Sequence, residues 1–274
     1  MRALGTAVVC LLIVAATISA QPTADWRFQW QTGQFLYYRV EHTTDVAEVV
    51  GGNKVETKSK VNLVKRWEVA SVDAQGTATL KMSITVMRNE QTKPNGEVAM
   101  FDSRTPDKST PELREQLGKF IGQTLAVIRV DKQGHVVEVK EGASNRYEAE
   151  PPFALVLPAA PVQPGQSWNR DYAITLDPPQ GGAGKHAAKQ KLVCTALNGG
   201  LATISLTTQL AKLPDNKAEQ MPLVQKMPEG EIVFDLQRGR LHSARLVIDR
   251  EIVGHQGEGS SYRFQSTYSE QYAE

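Results

Sequence analysis

Polar and apolar residues alternate along much of this chain with a period of two. In the stretch from Val55 to Val69 the odd positions hold most of the apolar residues, whereas the even positions are mainly lysine, glutamate and arginine. The same pattern returns from Ala78 to Val86, after a turn-forming segment at Asp73–Gly76. Alternation of this kind is typical of strands that bury one face and expose the other. It predicts an antiparallel hairpin.

Strand-like stretches of similar length continue through the second half of the sequence. We predict further strands at Trp168 to Leu176, Lys189 to Leu197, Ala202 to Leu210, Glu231 to Asp235, Leu241 to Ile252 and Tyr262 to Tyr268. Helical periodicity is scarce by comparison. The pattern therefore predicts a mainly β protein.

One helix is predicted, over residues 109–121, because both of its ends are marked. Ser109 and Glu112 have the spacing of a capping box, and Pro111 suits a first helical turn. Its apolar stripe consists of Leu113, Leu117 and Phe120. A second short helix or a turn near Pro151 to Leu157 is left open.

The first twenty residues have the features of a secretory signal. A positively charged start is followed by an apolar run and by small residues that end at Ala20, where we expect cleavage. The uncharged stretch is barely long enough to span a bilayer, so an uncleaved anchor is the alternative. With cleavage we expect a periplasmic or extracellular protein without a membrane span.

Two similar phrases, QTGQFL at Gln31 and QPGQSW at Gln163, suggest that the chain contains a repeated unit. Matches in the same order pair Lys58 with Lys189, Gly76 with Gly200, and Phe101-Asp102 with Phe234-Asp235. Such an order is expected of a duplicated unit, although β patterns with turn glycines also resemble one another by composition alone.

This similarity gives the predicted organisation of the chain. Residues 1–20 form the signal peptide, 21–140 a first β unit that includes the helix, 141–163 a connector, and 164–274 a second β unit. The predicted fold is mainly β, with large curved antiparallel sheets that form a half-barrel or open barrel, two related β units and one short amphipathic helix.

Cysteine content and charge limit the function further. Removing 20 residues from 274 leaves 254 with a single cysteine, Cys194, so no disulfide can form within one molecule. The alignment above places Cys194 opposite Leu63, on an apolar face, and predicts a buried and inert thiol. Loss of Arg2 leaves 30 basic and 30 acidic residues, which argues against a nucleic-acid partner.

No residue pattern in the sequence indicates catalysis, a cofactor or a metal. The five histidines, at positions 42, 135, 186, 242 and 255, have no metal-ligand spacing, and we expect His135 and His255 to be exposed. The segment Gly181–His186 resembles a phosphate-binding loop but has Pro179 and His186 where that loop needs a glycine and a serine or threonine.

Asp102 and Asp235 are interpreted as residues that cap turns, with a catalytic carboxylate pair as the less favoured alternative. The four tryptophans are interpreted as packing residues. We therefore predict no catalytic residue, no metal and no cofactor, and the ligand-binding residues stay unknown.

A series of turn and packing residues extends over most of the mature chain: Phe101-Asp102-Ser103, Leu117, Gly122-x-Thr124-Leu125-x-Val127, Asp131-x-x-Gly134-x-Val136, Leu157-Pro158 and Val162-x-Pro164-Gly165-x-Ser167-Trp168. In this series the chain resembles a family of signal-bearing bacterial proteins whose function is unknown. The family often has an acidic residue where this chain has Gln166. The resemblance implies an exported, mainly antiparallel β fold and no catalytic residues.

Two functions from different classes agree with this reading. The first is an exported, non-enzymatic binding or carrier protein whose concave face holds an apolar molecule such as a lipid. The alternative is an envelope-associated interaction or structural module that binds a protein through sheet edges or through the segment 212–229. The partner, either an apolar small molecule or an envelope protein, is not specified by the sequence.

Overall fold

The computed structural model describes residues 25–142, 155–176 and 184–274. These residues contain twelve strands and two short α-helices. The strands are β1 (Phe35–Val50), β2 (Asn53–Val72), β3 (Ala78–Thr92), β4 (Val98–Asp102), β5 (Thr124–Val130), β6 (Val136–Glu141), β7 (Ser167–Leu176), β8 (Gly184–Asn198), β9 (Leu201–Leu210), β10 (Glu229–Asp235), β11 (Arg240–Val253) and β12 (Ser261–Ala273), and the helices are α1 (Pro111–Gly118) and α2 (Lys217–Val224).

All twelve strands belong to one antiparallel sheet. Its order is β6-β5-β3-β2-β1-β12-β11-β10-β9-β8-β7, with β4 paired to the outer half of β3. The sheet is open, since β6 and β7 end it without pairing to each other. The prediction of a mainly β, open and curved architecture is confirmed, with one continuous sheet in place of several.

One face of the sheet, which we call the inner face, carries the main hydrophobic core. Alternate residues of each strand point to this face, as Leu36, Tyr38 and Val40 do on β1. Residues from β5, near one edge of the sheet, and from β8, near the other edge, belong to the same buried cluster. Strands this far apart in the order share a core because the sheet curls around its inner face.

The segment before β1 closes one end of this core. Trp26 and Phe28 are buried, and the Phe28 ring meets Phe234 edge to face at 5.0 Å. The backbone N–H of Phe28 donates to Lys132 O, and that of Gln29 donates to Gly239 O. Lys132 follows β5 and Gly239 precedes β11, so this segment connects strands from both sides of the sheet.

Helix α1 is shorter than predicted and lacks the predicted cap. It begins after Thr110, and no side chain caps its first turn. The hydroxyls of Ser109 and Thr110 instead accept hydrogen bonds from the backbone N–H groups of Asp102 and Met100 on β4. The predicted capping box is therefore wrong, because these hydroxyls bind the neighbouring strand.

The apolar stripe of α1 is confirmed only in part. Leu113 is buried, and Leu117 packs against the same cluster. Phe120 lies beyond the end of the helix and is 39% exposed.

Helix α2 was not predicted and lies in the segment 212–229, which the sequence analysis named as a possible protein-binding segment. Asn216 caps it by accepting a hydrogen bond from the backbone N–H of Ala218. Only Leu223 and Val224 are buried, both in its last turn, and Pro222 stands beside them inside the helix. Hydrophobic periodicity does not predict this helix, because the helix contains a proline and its buried residues are not spaced as an apolar stripe.

The two similar segments, 31–36 and 163–168, form the same turn. Each makes the same pair of backbone hydrogen bonds to a strand of the hairpin that follows it. Gly33 N–H donates to Val69 O and Val69 N–H donates to Gln34 O, at 2.8 and 2.9 Å. Gly165 N–H donates to Cys194 O and Cys194 N–H donates to Gln166 O, at 2.8 and 3.0 Å. A β-bulge follows Val69 and another follows Cys194.

These contacts correct the expected alignment of the two halves. Val69, not Leu63, holds the place of Cys194, so the Lys58 and Lys189 ladders are not equivalent. A pattern with period two repeats every second residue and cannot fix the register of a strand.

The match between Phe101-Asp102 and Phe234-Asp235 is likewise wrong. Phe234 pairs with Ala202 of β9, whereas Phe101 pairs with Asn89, far along β3. Val130 of β5 pairs with Ala78, the counterpart of Ala202, and therefore holds the place of Phe234.

Some predictions lie outside the described residues. These are the signal peptide, residues 143–154 of the connector, which include the first part of the possible helix or turn at 151–157, and residues 181–183 of the segment 181–186. Residues 155–163 of the connector are described, and Leu155 and Leu157 are buried in the main core. Within the ranges given above, no helix combines the length and apolarity needed to cross a membrane.

Candidate functional site

A strip of half-buried polar and apolar side chains runs along the middle of the inner face. We call it the central strip, and it consists of Ser59 and Val61 of β2, His42 and Thr44 of β1, and Ser266 and Tyr268 of β12. Ser266 is buried, and the other five are partly exposed. The residues that β12 contributes lie more than 200 positions along the chain from those of β1 and β2.

The hydroxyl residues of the strip lie side by side. Thr44 pairs with Ser59 on one neighbouring strand and with Ser266 on the other. Residues paired in this way have Cβ atoms about 5 Å apart. The three hydroxyl groups therefore form a short row across the sheet.

His42 lies in the next row and reaches two of these hydroxyls. Its Nε2 atom is 2.8 Å from Ser266 Oγ and 3.4 Å from Thr44 Oγ1. The ring meets Tyr268 edge to face, with 5.8 Å between centroids. The imidazole is thus held between an aromatic ring and two hydroxyl groups.

A buried ion pair adjoins the strip on the same face of the sheet, where Lys65 follows Val61 and Leu63 on β2 and Glu270 follows Tyr268 on β12. Lys65 Nζ is 3.3 Å from Glu270 Oε1, and these side chains are 10% and 0% exposed. Lys65 Nζ also donates to Tyr268 OH at 3.2 Å, and Tyr268 OH donates to Glu270 Oε2 at 2.7 Å. The ammonium group and the carboxylate are thus paired with each other, and both bond to the Tyr268 hydroxyl, as the burial of charged groups requires.

Tyr38 marks the boundary between this polar layer and the main core. Its hydroxyl lies 3.3 Å from Leu241 O. Burial, together with the nearby Glu270 carboxylate, raises the pKa of Tyr38, so this hydroxyl stays neutral and acts as a donor.

Two helix-covered apolar clusters flank the strip. On the β3 side, Leu113 of α1 packs with Met87 and Phe101, and Leu63 borders this cluster. On the β11 side, Val224 of α2 packs with a second cluster, which Val46 borders. The strip is therefore an open band of the inner face between two apolar walls.

A second polar group lies on the far side of the inner face. Arg170 donates to Gln190 Oε1 at 3.1 Å, and Gln190 Nε2 donates to Thr208 Oγ1 at 3.4 Å. The Arg170 guanidinium also lies over the Tyr172 ring at 4.9 Å. These residues give the inner face polar groups on β7, β8 and β9 as well.

A separate cleft of about 500 Å³ lies where α2 meets the ends of β8 and β9. Its lining includes Lys185, His186, Lys212, Asp215 and Asn216.

The structure shows that the histidines differ in exposure and in location. His135 is exposed, as predicted, and lies 2.9 Å from Asp131. His255 was expected to be exposed, and this is wrong: its side chain is 0% exposed, and its Nε2 lies 2.8 Å from Glu48. The loop that carries it folds against β1, a contact between residues 207 positions apart. His42 is the histidine that lies in the candidate site.

The remaining residues weighed from the sequence have structural roles. Asp102 accepts a hydrogen bond from the Arg104 N–H, and Asp235 accepts from the N–H groups of Gln237 and Arg238, so both cap turns as interpreted. Cys194 is free and fully buried, and burial raises the pKa of its thiol. Trp26 and Trp67 are buried in the main core, and Trp30 and Trp168 pack against it, as expected.

Sequence reasoning did not find the central strip. Its one local signal is the run of polar residues His42 to Asp45, which interrupts the apolar positions of β1. Nothing local indicates that β12 pairs with β1 and supplies Ser266, Tyr268 and Glu270.

Comparison with known proteins does not identify the chain. No protein-family model matches it, and a search of curated proteins finds no match. Among solved structures, it is similar to DynF from the dynemicin biosynthesis pathway of Micromonospora chersina, with 7% sequence identity, 92% of this chain and 86% of DynF covered, and a TM-score of 0.23. Similarity at this level does not establish a common fold, so the function is argued from the residues of this chain.

Proposed function

We propose that the protein is an exported, non-enzymatic binding or carrier protein that holds an amphiphilic ligand on the inner face of its sheet. The observation that carries the proposal is the central strip, where accessible hydroxyl and imidazole groups lie between two apolar walls. A ligand with a polar head and an apolar body matches such a surface.

The packing of the inner face limits where a ligand can bind. The main core is filled by side chains, and the gap bordered by Phe28, Trp30, Trp67 and Leu80 has no room for a water molecule. A ligand enclosed in that core would have to displace packed side chains. We therefore place the ligand on the strip, beside Lys65 and Glu270.

The pair of Ser266 and His42 does not suit nucleophilic catalysis. Ser266 lies within β12 and is paired on both sides, to Thr44 of β1 and to Ile248 of β11. Backbone N–H groups in such a position are used by the sheet, so they cannot form an oxyanion hole. This argument supports a binding role for the pair.

Export is proposed on the sequence features of residues 1–20. We further propose that the two halves descend from one duplicated β unit. The identical turns at Gly33 and Gly165 and the matching bulges after Val69 and Cys194 support this origin. Two copies of one unit would supply an inner face wide enough to hold a ligand.

The proposal is tested by purifying the protein natively from the exported fraction of its source. Small molecules released by organic solvent are then identified by mass spectrometry. We expect one amphiphile in near-stoichiometric amount. A protein that carries no small molecule and is captured with another protein would contradict the carrier role.

The edges of the sheet favour a second candidate function, an envelope-associated interaction module. Edge strands offer unpaired backbone groups to an added strand. Val137 on the edge strand β6 is 53% exposed, which gives a partner strand an apolar contact. The capture experiment above separates the two functions.

A further inference from the structure

We propose that the central strip binds an uncharged headgroup that carries hydroxyl groups, such as the glycerol of a monoacylglycerol. This inference rests on the proposed function and adds the chemical class of the ligand.

The first argument is the charge of the site. The ammonium group of Lys65 is already paired with the carboxylate of Glu270, which is fully buried. An anionic headgroup would have to draw Lys65 away and leave that carboxylate buried without its partner, which is costly. Farther along the inner face, Arg250 is paired with Glu229, and Glu48 is bonded to His255. Neither Lys65 nor Arg250 is therefore left without a carboxylate partner to offer to a phosphate or carboxylate headgroup.

The second argument is the hydrogen-bonding capacity of the hydroxyl row. A ring nitrogen has one proton or one lone pair, so His42 Nε2 cannot bond fully to both Ser266 and Thr44. Ser266, at 2.8 Å, is the closer partner. Thr44 Oγ1, at 3.4 Å, keeps capacity both to donate and to accept. Ser59, partly exposed beside it, adds a further hydroxyl.

The third argument is that the Asn89 side-chain oxygen, at the β3 side of the strip, lacks a hydrogen-bond donor in the described part of the chain. Asn89 is 8% exposed and pairs with Val61, which in turn pairs with His42. Its Oδ1 atom is buried and has no hydrogen-bond partner among the described residues. A hydroxyl can donate to this oxygen, whereas an ionised phosphate or carboxylate only accepts. A ligand hydroxyl would therefore satisfy Asn89.

The walls of the strip accommodate the rest of the ligand. Leu63 and Val46 border the apolar clusters under α1 and α2, and both are partly exposed. An alkyl chain lying against either of them would bury apolar surface while the headgroup stays over Thr44.

The test uses three ligands with the same dodecyl-length chain and different headgroups. Binding of 1-monolauroylglycerol, laurate and dodecyl phosphate, each below its critical micelle concentration, is measured by isothermal titration calorimetry on the purified full chain. We expect the glycerol ester to bind most tightly. Tighter binding of laurate or dodecyl phosphate would overturn the headgroup inference and leave the carrier function standing.

A matched pair of variants locates the headgroup. Thr44→Val removes the hydroxyl from the inner face, whereas Thr43→Val makes the same change one residue away on the exposed outer face. We expect Thr44→Val to weaken binding of the glycerol ester about fivefold, the effect of one lost hydrogen bond, and Thr43→Val to leave it unchanged. Equal affinities of the two variants would overturn the proposed headgroup position. If none of the three amphiphiles binds and no small molecule co-purifies, the proposed function itself fails.

Discussion

At the residue scale, several side chains stabilise turns by accepting hydrogen bonds from backbone N–H groups. Asp235 is an example, since its buried carboxylate closes the turn between β10 and β11. Its Oδ1 accepts from the backbone N–H groups of Gln237 and Arg238, and its Oδ2 from the Arg238 guanidinium at 3.2 Å. Burial acts to raise the pKa of Asp235, but the hydrogen bonds from Arg238 and Gln237 outweigh it, and the pKa is lowered.

A lowered pKa makes the contribution of Asp235 to stability depend on pH. The unfolded chain has an aspartate pKa of about 3.9, so the stabilisation is present above that value and is lost as the pH falls through the lower folded pKa. Asp235→Asn keeps an acceptor but loses the charge. We expect it to reduce the free energy of unfolding by about 1–2 kcal/mol at neutral pH, with the difference from wild type disappearing in acid.

Urea denaturation measured between pH 7 and pH 2 checks this prediction. Asp171→Asn is the control, because the Asp171 side chain is 78% exposed and should give no change at any pH. A loss for Asp235→Asn that stays constant with pH would show that the charge is not the source of the effect.

At the scale of elements, the two helices serve as covers of the inner face. Each meets the sheet through one or two buried side chains, Leu113 in α1 and Leu223 and Val224 in α2. Neither has a long apolar stripe, so their positions come from these few contacts. Because the clusters that contain Leu113 and Val224 border the central strip, the positions of these side chains affect its width.

Truncation of Leu223 tests whether α2 is held on the sheet by these few buried side chains. Leu223 is fully buried and belongs to a cluster with Ile174 and Leu176 of β7. We expect Leu223→Ala to lower the free energy of unfolding by about 2–4 kcal/mol, since it leaves a cavity in a packed cluster.

Leu213 provides the control for this measurement. It lies shortly before α2 and is 44% exposed, so Leu213→Ala should change stability by less than about 0.5 kcal/mol. Equal effects of the two substitutions in urea denaturation would mean that α2 is not anchored by Leu223.

The elements also show where sequence patterns are informative. The alternation around Trp67 and Leu80 depends only on which face is buried, so it predicts the β2–β3 hairpin correctly. The registers of Lys58 and Cys194 depend on a turn that reaches across from Gly33 or Gly165, and no pattern along the strand records that contact. The candidate site was missed for the same reason, because His42 meets Ser266 through pairing of strands at opposite ends of the described chain.

At the scale of the whole molecule, the two halves share one core. Leu80 of β3 and Ile204 of β9 are both buried in it, and the segment around Phe28 bonds to turns on both sides. We therefore expect the halves to unfold together. Amide hydrogen exchange followed by mass spectrometry should give peptides from β3 and β9 the same free energy of opening, whereas two separate values would contradict a single cooperative unit.

The pairing of β1 with β12 has a consequence for the order in which the protein can form. β12 is the last of the twelve strands to be synthesised, yet it lies in the middle of the sheet. Until it emerges, β1 and β11 have no partner on that side, and the polypeptide carries two partial sheets with open borders. We therefore expect folding to be completed only after β12 has been made, and under the export proposed above this delay would keep the precursor in the loose state that passage through a translocation channel requires.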